Sequence, residues 1–170
     1  MWYRRGWGID GEADDIEDPG YTGQDTEDVF DPVGRDPGKK AFKEAIKLKG
    51  TRYPKTMNEI RKGIGFEEDD SIYYIDCSNL VHQSYKKADY NYEYKNTQGL
   101  KKSGKFTPIS KEEAEKGDVM LFGSHMSLYD PDPPKDGHTA YGATIIKGVR
   151  YGDPSWFDKE KEPKYFRYIP

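Results

Sequence analysis

Thiol and imidazole chemistry is scarce in this chain: one cysteine, Cys77, and three histidines, His82, His125 and His138, among 170 residues. A single cysteine excludes an intrachain disulfide. The four residues show no paired ligand spacing, so neither a metal nor any other cofactor is expected. No Gly-rich phosphate loop is present, and no concentrated Arg/Lys stripe marks a nucleic-acid surface. The chain also lacks any apolar run long enough for a membrane span or a signal-peptide core. Arg4-Arg5 has no hydrophobic stretch behind it. Stable membrane insertion is therefore not expected; the chain reads as cytosolic in origin, already processed, or exported by other machinery.

Aliphatic residues are sparse as well. Leu, Ile, Val and Phe total 28, a share that suggests disorder when net charge is large. Here the net charge is only −4, and 14 Tyr and 3 Trp supply apolar area in amphipathic form. The expectation is one folded domain with tyrosines in and around its core. Charge is unevenly placed. Residues 1–38 carry 11 acidic and 3 basic side chains, while the remainder carries 20 acidic and 24 basic. Residues 1–38, with two Asp-Pro-Gly turns and no periodicity, read as an acidic lead segment, extended or disordered, ahead of a domain at 39–170. The acidic run 10–18 lacks the alternating ligands and central glycine of an EF-hand loop and reads as solvated acid.

Residues 39–49 have the spacing of an amphipathic helix, with Gly50 as a stop. Thr56-Met57-Asn58-Glu59 is a capping box for a short helix ending at Gly63. Leu80, Val81, Ser84, Tyr85 and Ala88 share a helical face that fades near residues 87–89. Asn96 is placed to cap another short helix, and Ser110-Lys111-Glu112-Glu113 is a second capping box ending at Gly117. Residues 118–122 and 139–147 read as strands, with Lys147-Gly148 turning into a further strand at 149–151. Residues 165–169 read as an edge strand and 123–137 as a polar, proline-rich loop. Helices first, then an antiparallel sheet, is an α+β order.

Cys77 stands where this sequence turns from an apolar, tyrosine-rich run into a helix, which puts it in the first helical turn. Unpaired backbone N–H groups and the helix dipole there favour an anion, and so a thiolate nucleophile. The same residue type is as often a small buried core thiol. A nucleophile needs a base, and the base an orienting partner. His82, five residues on, points away along the helix. His138 opens a strand, with small Ala140 and Gly142 leaving room for a helix terminus, and is the expected base; His125, in the loop, is the second choice. Asp153, across the hairpin, is the candidate orienting group, although Asp153-Pro154 is equally a turn signal.

Asp76-Cys77-Ser78-Asn79-Leu80-Val81 resembles the Asp-Cys-Ser-Gly-Leu-Val nucleophile motif of the NlpC-type cell-wall cysteine peptidases, a papain-like superfamily. Lys116-Gly117-Asp118-Val119-Met120-Leu121-Phe122 is similar to the family's Pro-Gly-Asp-Leu-Val-Phe-Phe strand. Gly137-His138-Thr139-Ala140-Tyr141 stands where the family has His-Val-Gly-Ile-Tyr, and Gly50-Thr51-Arg52-Tyr53-Pro54 resembles its Gly-x-Pro-Tyr entry. Asn79 departs from the family's glycine, the loop 123–137 is long enough for a lid or a partner surface, and the third catalytic residue has no clear counterpart.

The resemblance implies a papain-like fold with the nucleophile helix packed on an antiparallel sheet, and Tyr53, Asp76 and Ser78 lining a substrate cleft. It implies a Cys-His hydrolase cutting an amide in the peptide stem of bacterial peptidoglycan, in the periplasm or cell wall. Without a classical signal, such an enzyme suits a delivered toxin restrained by an immunity protein. Acyl transfer or peptide hydrolysis on a protein or lipid substrate, and a catalytically silent binding domain with the same cleft, are the alternatives.

Overall fold

The computed structural model describes residues 36–56, 74–158 and 162–170. The capping box after its first residue, Thr56, and almost all of the acidic lead segment fall outside them. Helix α1 spans Pro37–Ile46, two residues earlier than its periodicity suggests. Asp36 caps it by accepting from the Lys39 N–H, and proline occupies the first helical position, where its missing N–H is not needed. Its buried face is Ala41, Phe42 and Ala45.

Helix α2, Cys77–Lys87, starts at the cysteine itself, with Asp76 as its N-cap. Leu80 and Val81 are fully buried on the face that meets the sheet, each removal of such a side chain from water stabilising the fold by about 1.5–3 kcal/mol. Asn96 caps the short helix α3, Thr97–Leu100, as its position in the sequence suggests.

Six antiparallel strands follow: β1 Phe106–Ile109, β2 Val119–Leu121, β3 Met126–Tyr129, β4 Ala140–Thr144, β5 Gly148–Gly152 and β6 Lys164–Tyr168. Their order across the sheet is β1-β6-β2-β3-β4-β5. The α+β class stands. Several elements differ from expectation. The stretch 123–137 is not all loop, because β3 lies inside it and pairs with both β2 and β4. Strand β6 is interior to the sheet, between β1 and β2, rather than at its edge. The Ser110 capping box does form its reciprocal bond, Ser110 N–H to Glu113 Oε2 at 3.0 Å, but closes a turn rather than a helix.

Alternation along the strands sorts side chains onto two faces. Met126, Leu128, Tyr141, Ala143 and Val149 join the main core with α1, α2 and Cys77. Met120, Phe122, Ala140 and Tyr165 form a second cluster with Tyr129 and Phe157. Tyrosine is a core residue here: Tyr85 and Tyr141 are fully buried, and the Tyr85 hydroxyl donates to the Gly117 carbonyl at 2.9 Å. The loop entering β2 is held by Asp118, whose carboxylate accepts from Arg167 Nη2 at 2.8 Å and from the Glu115 N–H at 2.8 Å.

Candidate active site

Asp76 sets the head of α2. Its Oδ1 accepts from the Asn79 N–H at 2.8 Å, Asn79 Nδ2 at 3.1 Å and Ser78 Oγ at 3.0 Å. Asn79, where a glycine was the expected counterpart, is thus turned inward to the cap and is only 2% exposed. Cys77 follows directly and is 8% exposed. Three neighbours pull its pKa down through hydrogen bonding: the backbone of Met126 at the start of β3, the backbone of Ser78, and the side chain of Thr97 at the start of α3.

These donors favour the thiolate, as a helix N-terminus should. Burial nevertheless wins. Desolvation raises the Cys77 pKa above the ordinary thiol value, and the neighbouring Asp76 charge raises it further. The depressed pKa expected from helix position alone is therefore corrected: near neutral pH the resting group is a thiol.

Tyr53 is half-buried beside this centre. Its hydroxyl is pushed up to about 12, first by burial and then by the charges of Cys77, Asp76 and Tyr94. Tyr94 was not anticipated. Its hydroxyl lies 2.7 Å from Ser78 Oγ, and its pKa is raised by burial, with Asp76 and Cys77 also contributing. Tyr53, Asp76, Cys77 and Ser78 thus come together, and Tyr94 and Thr97 join them. Nothing in local spacing announces these last two, since they reach Cys77 only through the chain's return after α2.

The histidines are arranged differently from expectation. Tyr129 pairs with Ala140, and the β3–β4 ladder runs from there toward Met126. His138 precedes Ala140, at the end of that ladder remote from Met126; the residue opposite Met126 is five positions along the strand, roughly 16 Å away at about 3.3 Å per residue. His138 does meet Asp153, whose charge raises its pKa while burial, the largest effect, and Lys135 lower it. Its ring contacts Trp156 edge-on at 4.9 Å between centroids. Asp153 caps a 3-10 turn, Pro154–Trp156, by accepting from the Ser155 N–H at 2.8 Å. Asp153 therefore acts on the expected base, His138, through its charge, at the end of the ladder away from Met126. The His82 ring lies edge-on to Tyr92 and Tyr94.

His125 immediately precedes Met126, whose backbone acts on Cys77. Its Nε2 lies 3.0 Å from Ser127 Oγ and its ring stacks on Phe157 at 4.1 Å. His125 and Ser127 share one face of the strand, while Met126 and Leu128 share the other with Cys77. Burial lowers the His125 pKa to about 4, so the imidazole is neutral at pH 7.

The sequence profile of the NlpC/P60 family matches residues 41–155, which include Cys77, Met126 and His125. The chain belongs to the NlpC/P60 family. No curated protein sequence matches it. Among solved structures, the NlpC/p60 domain of the peptidoglycan hydrolase SagA superposes with a TM-score of 0.54 at 21% identity, covering 78% of this chain and 98% of that one. NlpC1 from Trichomonas vaginalis gives 0.54 at 17% identity, and an NLP/P60-family protein similar to a lipoprotein from Staphylococcus aureus subsp. aureus Mu50 gives 0.53 at 22%. The chain spans 46% and 45% of those two. The NlpC/P60 fold is thus the α+β, papain-like one, with the helix that Cys77 heads against an antiparallel sheet. Among the described residues, no group of three or more His, Cys, Asp or Glu is placed to hold a metal ion, and no helix is long and apolar enough to cross a membrane.

Proposed function

We propose that this NlpC/P60 chain is a cysteine hydrolase that cuts an amide in the peptide stem of bacterial peptidoglycan. The observation that carries it is the place of Cys77 as the first residue of α2, behind the Asp76 cap, where the donors of the first turn, Met126 and Thr97 pull its pKa down. Such donors stabilise the negative charge that develops as the thiol reacts. His125 serves as base in place of His138, because it adjoins Met126, whose backbone acts on Cys77. To reach the sulfur its ring gives up the Ser127 bond and swings round the start of β3 from the opposite face.

In this mechanism His125 takes the thiol proton as Cys77 Sγ attacks the amide carbonyl, giving a tetrahedral oxyanion. The protonated imidazole then donates to the leaving amine as the C–N bond breaks. Water, deprotonated by His125, attacks the thioester, and the thiol is restored with release of the acid. Asp76, with Tyr53, Ser78 and Tyr94 around it, offers a negative site for a substrate ammonium group. Neither histidine nor thiol is charged at rest, so proton transfer accompanies attack.

That resting state also favours a second reading, a binding domain that keeps the cleft without turnover. Digestion of purified peptidoglycan followed by mass spectrometry separates the two. Hydrolysis predicts stem fragments from the wild type and none from Cys77→Ala, with glycan strands intact. Binding alone predicts no fragments from either, with both proteins retained on peptidoglycan.

A further inference from the structure

A groove of about 370 Å³ opens between Arg52, Tyr53 and Tyr74 on one side and the β4–β5 turn, Ile145, Ile146 and Lys147, on the other. Its volume is that of a small-molecule or short-peptide site. Among the described residues no carboxylate lines it, whereas Arg52, Lys55 and Lys147 bring positive charge. The two isoleucines are 67% and 80% exposed, an unusual cost for the largest aliphatic side chains unless something covers them.

The walls are fixed relative to one another. The Gly50 N–H donates to the Val149 carbonyl at 2.9 Å, the Val149 N–H to the Thr51 carbonyl at 3.0 Å, and the Ile75 N–H to the Arg52 carbonyl at 2.9 Å. Arg52 and Tyr74 also form a parallel bridge. Gly148 has a positive φ of 70°, and a Cβ there would stand 2.2 Å from the Thr51 carbonyl oxygen. The turn therefore sits hard against residues 50–52, and the groove exists before any ligand arrives. A preformed site loses less ordering entropy on binding.

We propose that this groove is a recognition subsite for a carboxylate-bearing, partly aliphatic segment of the substrate peptide, continuing outward from the amide held at Cys77. The proposal rests on the hydrolase reading of the site. Arg52 offers a fork matched to a carboxylate, and Lys147 a point charge. Ile145 and Ile146 offer apolar cover for the aliphatic part. Continuity with the centre comes through Tyr53, which lines the groove and also packs against the core cluster that contains Cys77. A peptide is favoured over a membrane surface because the isoleucines line a concavity that shares Tyr53 with the surroundings of the thiol.

The test uses the full chain carrying Cys77→Ala and two probes: a peptidoglycan stem tetrapeptide with free carboxylates, and the same peptide fully amidated. Calorimetry is expected to show the free-carboxylate peptide binding on the order of tenfold tighter, the worth of a charge-assisted contact, with the preference shrinking as salt rises. Adding Arg52→Gln, Lys55→Gln and Lys147→Gln should abolish the preference. All three positions are exposed, so the melting temperature should stay within about 2 °C of the parent. Equal binding of the two peptides, or a preference that survives the substitutions, overturns the subsite. So does binding to phosphatidylglycerol vesicles, lost with Ile146→Ser, in place of the peptide. If the carboxylate preference holds while wild-type protein releases no stem fragments, the subsite stands and the hydrolase reading falls.

Discussion

Hydrogen bonding from the Met126 backbone lowers the Cys77 pKa, which sets the first residue of β3 beside the head of α2. That relationship distinguishes the two histidines of the β3–β4 hairpin. His125 is one residue away from Met126, and consecutive Cα atoms are about 3.8 Å apart. His138 lies at the other end of the same hairpin, engaged with Asp153 and Trp156.

His125→Ala should lower stem-fragment release by about 100-fold or more, the usual loss when a general base is removed. His138→Ala should stay within about threefold of wild type. Initial rates by chromatography of released fragments check both. The reverse order would return the role to His138.

Cys77 should alkylate slowly at pH 7. Its pKa is raised chiefly by burial, so the thiolate fraction grows only as pH climbs through and past the ordinary thiol range. Iodoacetamide rates followed by mass spectrometry should still be rising at pH 9. A plateau already reached at pH 7 would mean that the three donors outweigh desolvation.

Acid should weaken the fold through His125. Its folded pKa, about 4, lies below the ordinary histidine value, so the folded state binds protons less readily than the unfolded chain. The stability this contributes is complete above about pH 6.5 and is lost as pH falls toward about 4. His82 and His138 are also lowered and act in the same direction. Urea unfolding at several pH values should therefore show a decline across this window that is shallower in His125→Gln but not absent.

Asp118 is 3% exposed and depends on Arg167, whose Nη2 reaches both its carboxylate at 2.8 Å and the Glu113 carbonyl at 2.6 Å. Burial already raises the Asp118 pKa despite this partner. Arg167→Ala should cost about 2–4 kcal/mol in urea unfolding, since it leaves a buried carboxylate without its cation. Joint replacement, Asp118→Asn with Arg167→Met, should cost less than the single change.

Two glycines with positive φ make a matched pair. Gly104, at φ 69°, has open space where a Cβ would go, so Gly104→Ala should cost about 1–2 kcal/mol from backbone conformation alone. Gly117, at φ 91°, would place its Cβ 1.9 Å from the Gly38 carbonyl oxygen. Gly117→Ala should cost clearly more, measured by thermal unfolding, because the loop entering β2 and the start of α1 must separate.

Much of the fold could be read locally. The helix from Cys77 follows from an apolar stripe behind a capping aspartate, and α3 follows from Asn96, because caps and periodicity act within one or two turns. Strand β3 escaped notice because Met126–Tyr129 is four residues long, follows Gly123-Ser124 and precedes a proline cluster. Strand β1 carries Pro108, a residue that a strand tolerates only at a sheet edge, where β1 in fact lies. Loop and strand signals conflict at both places, and only pairing with distant strands resolves them.

The sequence by itself determined that the one thiol heads a helix capped by Asp76, since those interactions join residues three or four apart. Only the tertiary structure decided that the thiol is protonated at rest, that Tyr94 and Thr97 join it, and that His125 rather than His138 adjoins the strand residue that acts on it. Those outcomes depend on desolvation and on distances between segments far apart in the chain, and no local spacing encodes either.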